Sequence, residues 1–344
     1  MSGSSAQSAS ATSRFAEIMQ IGSGHRPAAC IYVTAKLKIA DLLAHGPKAV
    51  SELAATARVN EDALYRVLRA IASLGVFHEV SPRTFANTPL SETLRSDGPG
   101  SFRDAMLFLS APVHMRIFAE LQHSVETGGT ALKKATGMEP FEFFRQNDEV
   151  GQVFNAAMTS ISEKMTPPVI EAYDFGASGT LADIGGGHGV LLAMILQKHR
   201  GLRGIVCDLP HVVQGAKARI ESLGLASRCE VAGVDFFESV PPADSYVMKS
   251  VIHDWDDARS IAILRNCAKA MRDPNGKVIL IELLISPGNE PDMSKWIDIE
   301  MLAMAGGRER TEAEFAELFD KAGLRLARVV RTPSPFCVIE AVKR

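Results

Sequence analysis

No two of the five cysteines, Cys30, Cys207, Cys229, Cys267 and Cys337, form a C-x-x-C pair in this 344-residue chain. That scatter excludes a zinc ribbon and a disulfide framework, and it makes a reducing cytosol the default setting. Charge of one sign is also scarce: the net value of −3 leaves no footprint for nucleic acid or an anionic membrane surface. No apolar run reaches membrane-spanning length. The first 13 residues are rich in Ser and Ala and have neither a basic start nor an apolar core, so residues 1–25 are expected to be a flexible tail and not a signal peptide. What remains, 46% hydrophobic and 22% charged, is the make-up of a soluble globular protein, long enough for two domains.

The most informative stretch is LADIGGGHG, Leu181 to Gly189. A short apolar run reads as a buried parallel strand, four glycines in five positions read as a tight bend, and Val190 to Gln197 reads as a buried helix. Strand, glycine turn and helix bring backbone N–H groups close to a nucleotide-like ligand at a helix N-terminus. Asp208 closes the next apolar run, 23 positions after Gly185, near the spacing of about 20 residues expected of a ribose-binding acid. A dinucleotide fold wants G-x-G-x-x-G/A, and here Val190 takes the third small position. No Gly-Lys-Ser/Thr follows, which excludes a P-loop. A glycine loop without pyrophosphate features fits S-adenosylmethionine better than NAD or ATP.

Upstream the pattern is helical. Ser51 is placed to cap a helix reaching Ala57, and Asn60 to cap the next, in which Leu64, Val67, Leu68, Ile71 and Leu74 recur at three- and four-residue steps until Gly75. Runs 76–80 and 84–88 around Pro82 read as a hairpin, completing a winged-helix-like arrangement. Its DNA-binding reading would aim Arg66 and Arg69 at phosphates; the balanced charge favours a packing module with both on a solvated face. Residues 100–165 are helical and rich in Phe and Met: Phe102, Met106, Phe108, Phe141, Phe143, Phe144, Phe154 and Met158 are expected mostly in the core, with a few lining an apolar pocket. Pro167-Pro168 marks a break. Thereafter strands and helices alternate to the end, predicting an α/β domain with a doubly wound parallel sheet and a ligand crevice at the carboxyl ends of its strands.

Two residues at such strand ends, and one in a loop, are candidates for the chemistry. His253 follows strand 246–250, opposite the glycine loop, where a group titrating near neutrality makes a general base. Glu282 ends the run KVILIE, and a buried carboxylate there needs a partner that imidazolium would supply. Glu309 is open to two readings, a partner of His253 or a solvated loop charge beside Arg308 and Arg310.

LADIGGGHG, CDLPHVV (207–213), GVDFFESVP (233–241), MKSVIHDWDD (248–257), ILRNCAKAM (263–271), GKVILIE (276–282) and GGRERTEAEF (306–315) resemble, in order across residues 31–342, the small-molecule O-methyltransferases that use S-adenosylmethionine, the family of caffeic-acid, flavonoid and acetylserotonin methyltransferases and their bacterial relatives. The resemblance implies a helical, winged-helix-like dimerisation domain over 26–165 and a Rossmann-like methyltransferase domain over 166–344. It implies cofactor contacts from Gly185, Asp208, Asp235, Phe236 (where the family carries Met) and Lys249, a catalytic base in His253, and flanking acids in Glu282 and Glu309. Acceptor contacts are expected from Phe154, Met158, Asp254 and Met301, the two methionines matching residues that sandwich an aromatic ring. Ser250 stands where plant phenylpropanoid enzymes often carry Trp.

The expected function is methyl transfer to a hydroxyl of a small aromatic molecule, without a metal, by a cytoplasmic homodimer that engages neither nucleic acid nor membrane. Two alternatives are a relative that binds S-adenosylmethionine but decarboxylates or hydroxylates, and a winged-helix DNA-binding regulator.

Overall fold

A computed structural model describes residues 3–98, 101–176 and 179–344. Its contacts divide the chain into two units, residues 1–116 with 147–160, and residues 117–146 with 161–344.

The first unit opens on helix Gly3–Gly22, so the stretch expected to be a flexible tail is largely helical. Residues 4–21 contain no Gly or Pro, and Ala favours a helix that Ser only weakly opposes. Strand β1 (Lys48–Ala49) leads into helix Val50–Ala57, whose N-cap is Ala49 and not Ser51. Pairing with the hairpin replaces the hydroxyl cap here, because Val50 N–H donates to Arg83 O (2.8 Å). Asn60 does cap helix Glu61–Ala72, accepting from Ala63 N at 2.9 Å. Leu64, Leu68 and Ile71 of that helix are buried, while Leu74 lies past its end and is half exposed. Strands β2 (Phe77–Ser81) and β3 (Thr84–Asn87) form the hairpin, in the order β1-β3-β2. Arg66 and Arg69 are exposed, Arg69 lying over the Tyr65 ring. Of the Phe and Met set, Phe108 and Phe143 are buried, and Phe102, Met106, Phe144, Phe154 and Met158 are only half-buried. The Phe141 side chain lies outside the described residues.

The expected break at Pro167-Pro168 is absent, since both lie inside helix Asp148–Ala172. Each proline forfeits one N–H bond, but its fixed φ is helical, and the buried Val169 and Ile170 hold the last turn.

The second unit is built on seven strands, β4 (Thr180–Ile184), β5 (Arg203–Asp208), β6 (Cys229–Gly233), β7 (Ser245–Lys249), β8 (Lys277–Glu282), β9 (Leu324–Arg331) and β10 (Cys337–Lys343), in the order β6-β5-β4-β7-β8-β10-β9. The pairs from β6 to β8 are parallel, and β10 alone runs antiparallel to both neighbours. Only residues 332–336 join β9 to β10, too few for the crossover that a parallel pair needs. Side chains alternate between two apolar layers: Ala182, Tyr246, Met248, Val278 and Leu280 face one, and Leu181, Val247, Ile279 and Ile281 the other. Burial on both faces explains why these strands read as continuous apolar runs. Strand order reverses beside β4, which places the crevice at the carboxyl ends of β4 and β7. Helix Met293–Met304, which no sequence signal singled out, is also part of this unit.

Candidate active site

At the end of β4 the chain turns through Gly185, Gly187 and Gly189, all with positive φ. A Cβ on Gly185 would lie 2.7 Å from Val251 Cγ2, so the glycine lets the β4 turn close against the segment after β7. At Gly187 a Cβ would meet nothing within 4 Å, which leaves open space over the turn. Asp208, at the end of β5, accepts from Gly187 N (2.9 Å) and Leu209 N (2.7 Å), fixing its carboxylate beside that space. Burial raises its pKa, and the two N–H donors pull the other way. Asp235 is exposed and accepts from Phe237 N. Phe236 packs edge-on against Phe237 and Trp255, and Asn266 holds both phenylalanine carbonyls. Lys249 Nζ donates to Ser162 Oγ (3.1 Å) and sits over the Phe336 ring; burial brings its pKa down to about 8 against the pull of Glu282 and Asp183.

Asp183 escaped the sequence reading, although an acid inside an otherwise apolar strand is a signal. It is buried, its Oδ2 has no hydrogen-bond partner among the described residues, and burial together with Asp208 pushes its pKa up to about 7 against the pull of Lys249.

The second cluster is built on three segments. Ser250, in the left-handed region at φ 53°, turns the chain sharply out of β7. The N–H groups of Val251 and Ile252 then point at Glu282 Oε1 (3.1 and 3.0 Å), and His253 follows in the 3₁₀ turn Ile252–Asp254. Glu282 ends β8 on the face shared with Val278 and Leu280, which aims it under that turn. Glu309 comes from loop 306–310. It is buried, not a solvated loop charge, and its N–H donates to Asp298 Oδ1 on helix Met293–Met304. His253 Nδ1 lies 2.7 Å from Glu309 Oε1 and 3.9 Å from Glu282 Oε2, while Nε2 lies 3.6 Å from Asp254 Oδ1. A carboxylate only accepts, so Nδ1 carries the hydrogen and Nε2 is left as the basic nitrogen.

Burial alone would lower the His253 pKa, but Glu282, Asp254 and Glu309 outweigh it and push it up to about 10. One imidazolium does not offset three carboxylates. Burial therefore lifts Glu282 to about 7 and Asp254 to about 6, in each case against the pull of His253. Among the described residues, Oε2 of Glu282 and Oε2 of Glu309 have no hydrogen-bond partner, as expected where carboxylates outnumber donors. Such a cluster can hold a proton on the imidazole.

The structure thus brings His253, Asp254, Glu282 and Glu309 together. Phe154 and Met158 lie half-buried in the first unit, whereas Met301 is buried on helix Met293–Met304 in the second.

Residues 118–325 match the O-methyltransferase domain, and residues 19–97 match the O-methyltransferase dimerisation domain. The chain belongs to the S-adenosylmethionine-dependent O-methyltransferases. This O-methyltransferase is 42% identical over 325 residues to the phenazine O-methyltransferase PhzM of Lysobacter antibioticus, covering 94% of this chain and 95% of that one. The crystal structure of LaPhzM superposes with a TM-score of 0.90 at 41% identity, covering 96% and 99% of the two chains. An O-methyltransferase from neocarzinostatin biosynthesis, NcsB1, solved with S-adenosylmethionine and 2-hydroxy-5-methyl naphthoic acid, superposes with a TM-score of 0.79 at 31% identity, covering 93% and 96%. Neither the regulator nor the non-methylating reading is favoured by these matches. The glycine turn, its open face at Gly187 and the unpartnered Asp183 Oδ2 suit S-adenosylmethionine. No helix among the described residues is long and apolar enough to cross a membrane.

Proposed function

We propose that this O-methyltransferase methylates a hydroxyl of a small aromatic acceptor, with His253 Nε2 as the general base. The hydrogen bond from Nδ1 to Glu309 carries the reading, because it leaves Nε2 as the nitrogen that takes a proton. When bound, S-adenosylmethionine supplies an electrophilic sulfonium methyl. A phenol is protonated at neutral pH, its reference pKa being about 10. Neutral His253 would take that proton at Nε2 as the oxygen bonds to the methyl carbon and the carbon–sulfur bond breaks, its electron pair leaving with the sulfur as a neutral thioether, and Asp254, Glu282 and Glu309 would stabilise the imidazolium that forms. Asp208 would accept from the ribose hydroxyls, Asp235 and Phe236 would border the adenine, Lys249 and Gly185 would stand near the cofactor, and no metal is required. Phe154, Met158, Asp254 and Met301 contact the acceptor.

The domain division is read as dimerisation over 26–165 and methyl transfer over 166–344. The dimerisation-domain match and the exposed face of helix Gly3–Gly22 (Phe15, Ile18, Ile21) favour a homodimer. Five free cysteines suit a cytoplasmic setting.

The test is transfer of labelled methyl from S-adenosylmethionine to a panel of phenols, hydroxyquinones and hydroxyindoles. On the best acceptor, His253→Ala is expected to lower kcat by ~10²–10⁴-fold, the usual contribution of a positioned base, with cofactor affinity unchanged. Wild-type kcat in the variant, on an acceptor not already ionised, makes His253 structural.

A further inference from the structure

Arg310 is buried, with 1% of its surface exposed, and its guanidinium divides its hydrogen bonds evenly between backbone carbonyls and side chains. Nη1 donates to Ile252 O (3.1 Å) and Arg308 O (3.3 Å). Nη2 donates to Trp255 O (2.9 Å), Asp257 Oδ1 (2.9 Å) and Ser260 Oγ (3.4 Å), and Nε to Asp257 Oδ1 (3.2 Å). The two carbonyls from the turn, those of Ile252 and Trp255, bracket His253 in sequence. The single carboxylate partner, Asp257, has a half-exposed side chain. A buried charge held in this way is a poor source of stability, since an apolar residue of similar volume would avoid its desolvation. Its geometry is the informative part, because the planar fork of donors fixes several acceptors at once.

The main chain around Arg310 makes the same connections. Arg308 N–H donates to His253 O (2.8 Å), and Gly307 lies so close to the turn that a Cβ there would overlap His253 O. On the other side Arg310 pairs with Leu284, just beyond β8, and Ile285 N–H donates to Arg310 O (3.1 Å). The residue next to Glu309 is therefore tied both to the turn carrying His253 and to the continuation of the strand carrying Glu282. We infer that Arg310 is a positioning residue that sets the registry of Glu309 and Glu282 on the His253 imidazole. The inference rests on the reading of His253 as the base.

The readout is the pH profile, which a purely structural role would leave in place. Around the imidazole stand Asp254 from its own turn, Glu282 from β8 and Glu309 from loop 306–310, with Asp298 behind Glu309 on helix Met293–Met304. In the full-length enzyme, Arg310→Ala is expected to lower kcat by about 10²-fold, as misplacement of a reacting group by an ångström can do. Its calorimetric affinity for S-adenosylmethionine should stay at the wild-type value. The acid limb of its kcat profile should move to lower pH, because an imidazolium that loses Glu309 gives up its proton more readily. Added guanidinium ion should restore part of the kcat of Arg310→Ala and none of that of His253→Ala, and Arg310→Lys should fall between wild type and Arg310→Ala. If Arg310→Ala does not fold, Asp257→Asn, which loosens the guanidinium from the surface side, should move the limb in the same direction by less. A folded variant that keeps the wild-type limb, or loses kcat only in proportion to cofactor affinity, overturns the inference. If His253→Ala itself retains wild-type kcat, the base reading falls; if His253→Ala is inactive and the Arg310 and Asp257 variants keep the wild-type limb, only the role of Arg310 falls.

Discussion

Each nitrogen of His253 has a different neighbour, and that asymmetry sets how the residue responds to pH. Nδ1 faces Glu309 and Glu282, and Nε2 faces Asp254. Because these carboxylates hold the folded-state pKa above its ordinary value of 6.5, to about 10, the neutral base is gained as pH rises toward that value. The rate of methylation should rise with it, on an acceptor whose hydroxyl stays protonated over the range. Glu309→Gln removes one of the charges that retain the proton, so the acid limb of kcat/KM against pH should shift to lower pH while the plateau drops. An unmoved limb would separate Glu309 from the base. At the cofactor end, Asp208→Ala should weaken S-adenosylmethionine by at least ~1.5–3 kcal/mol, the range for a charge-assisted hydrogen bond, in calorimetry on a folded variant. Unchanged affinity would remove the ribose assignment.

At the scale of elements, the turn after β4 and the segment after β7 are fitted to each other through glycine. Gly185 and Gly187 share a positive φ, yet only Gly185 would bring a Cβ against Val251. Gly187→Ala should therefore cost little more than the ~1–2 kcal/mol of a left-handed L-residue, while Gly185→Ala should cost clearly more and weaken cofactor binding as well. Denaturant titration of the pair decides this: equal losses would mean that the two segments have room to separate. The sequence pattern was legible for these elements because the strands are buried on both faces and helix Val190–Lys198 is itself almost wholly apolar. It failed at Ser51, where strand pairing had already satisfied the helix N-terminus, and at Pro167-Pro168, where the helix continues through both prolines.

For the molecule as a whole, the C-terminal half of helix Gly3–Gly22 leaves a group of large apolar side chains uncovered. Phe15, Ile18 and Ile21 are 66%, 62% and 71% exposed in the single chain. Scattered exposed apolar residues are ordinary, but a grouped set on one helix marks an interface. Light scattering at micromolar concentration should give twice the chain mass, and replacing Phe15 and Ile18 together with Asp should shift it toward the monomer. A wild-type monomer would remove the homodimer, and an unaffected dimer would move the interface elsewhere.

The sequence alone determined the alternation of strands and helices, the glycine turn with Asp208 at ribose spacing, Glu282 at a strand end and His253 just beyond one, because each is a local pattern of polarity or backbone freedom. Tertiary structure decided what depends on segments far apart in the chain. Glu309 is 56 positions from His253, and nothing local distinguishes a buried partner from a solvated charge between two arginines. Loop 306–310 buries Glu309 and Arg310 together only because Gly307 lets it lie against the His253 turn. The direction of β10 was set in the same way, by a connection too short to cross the sheet.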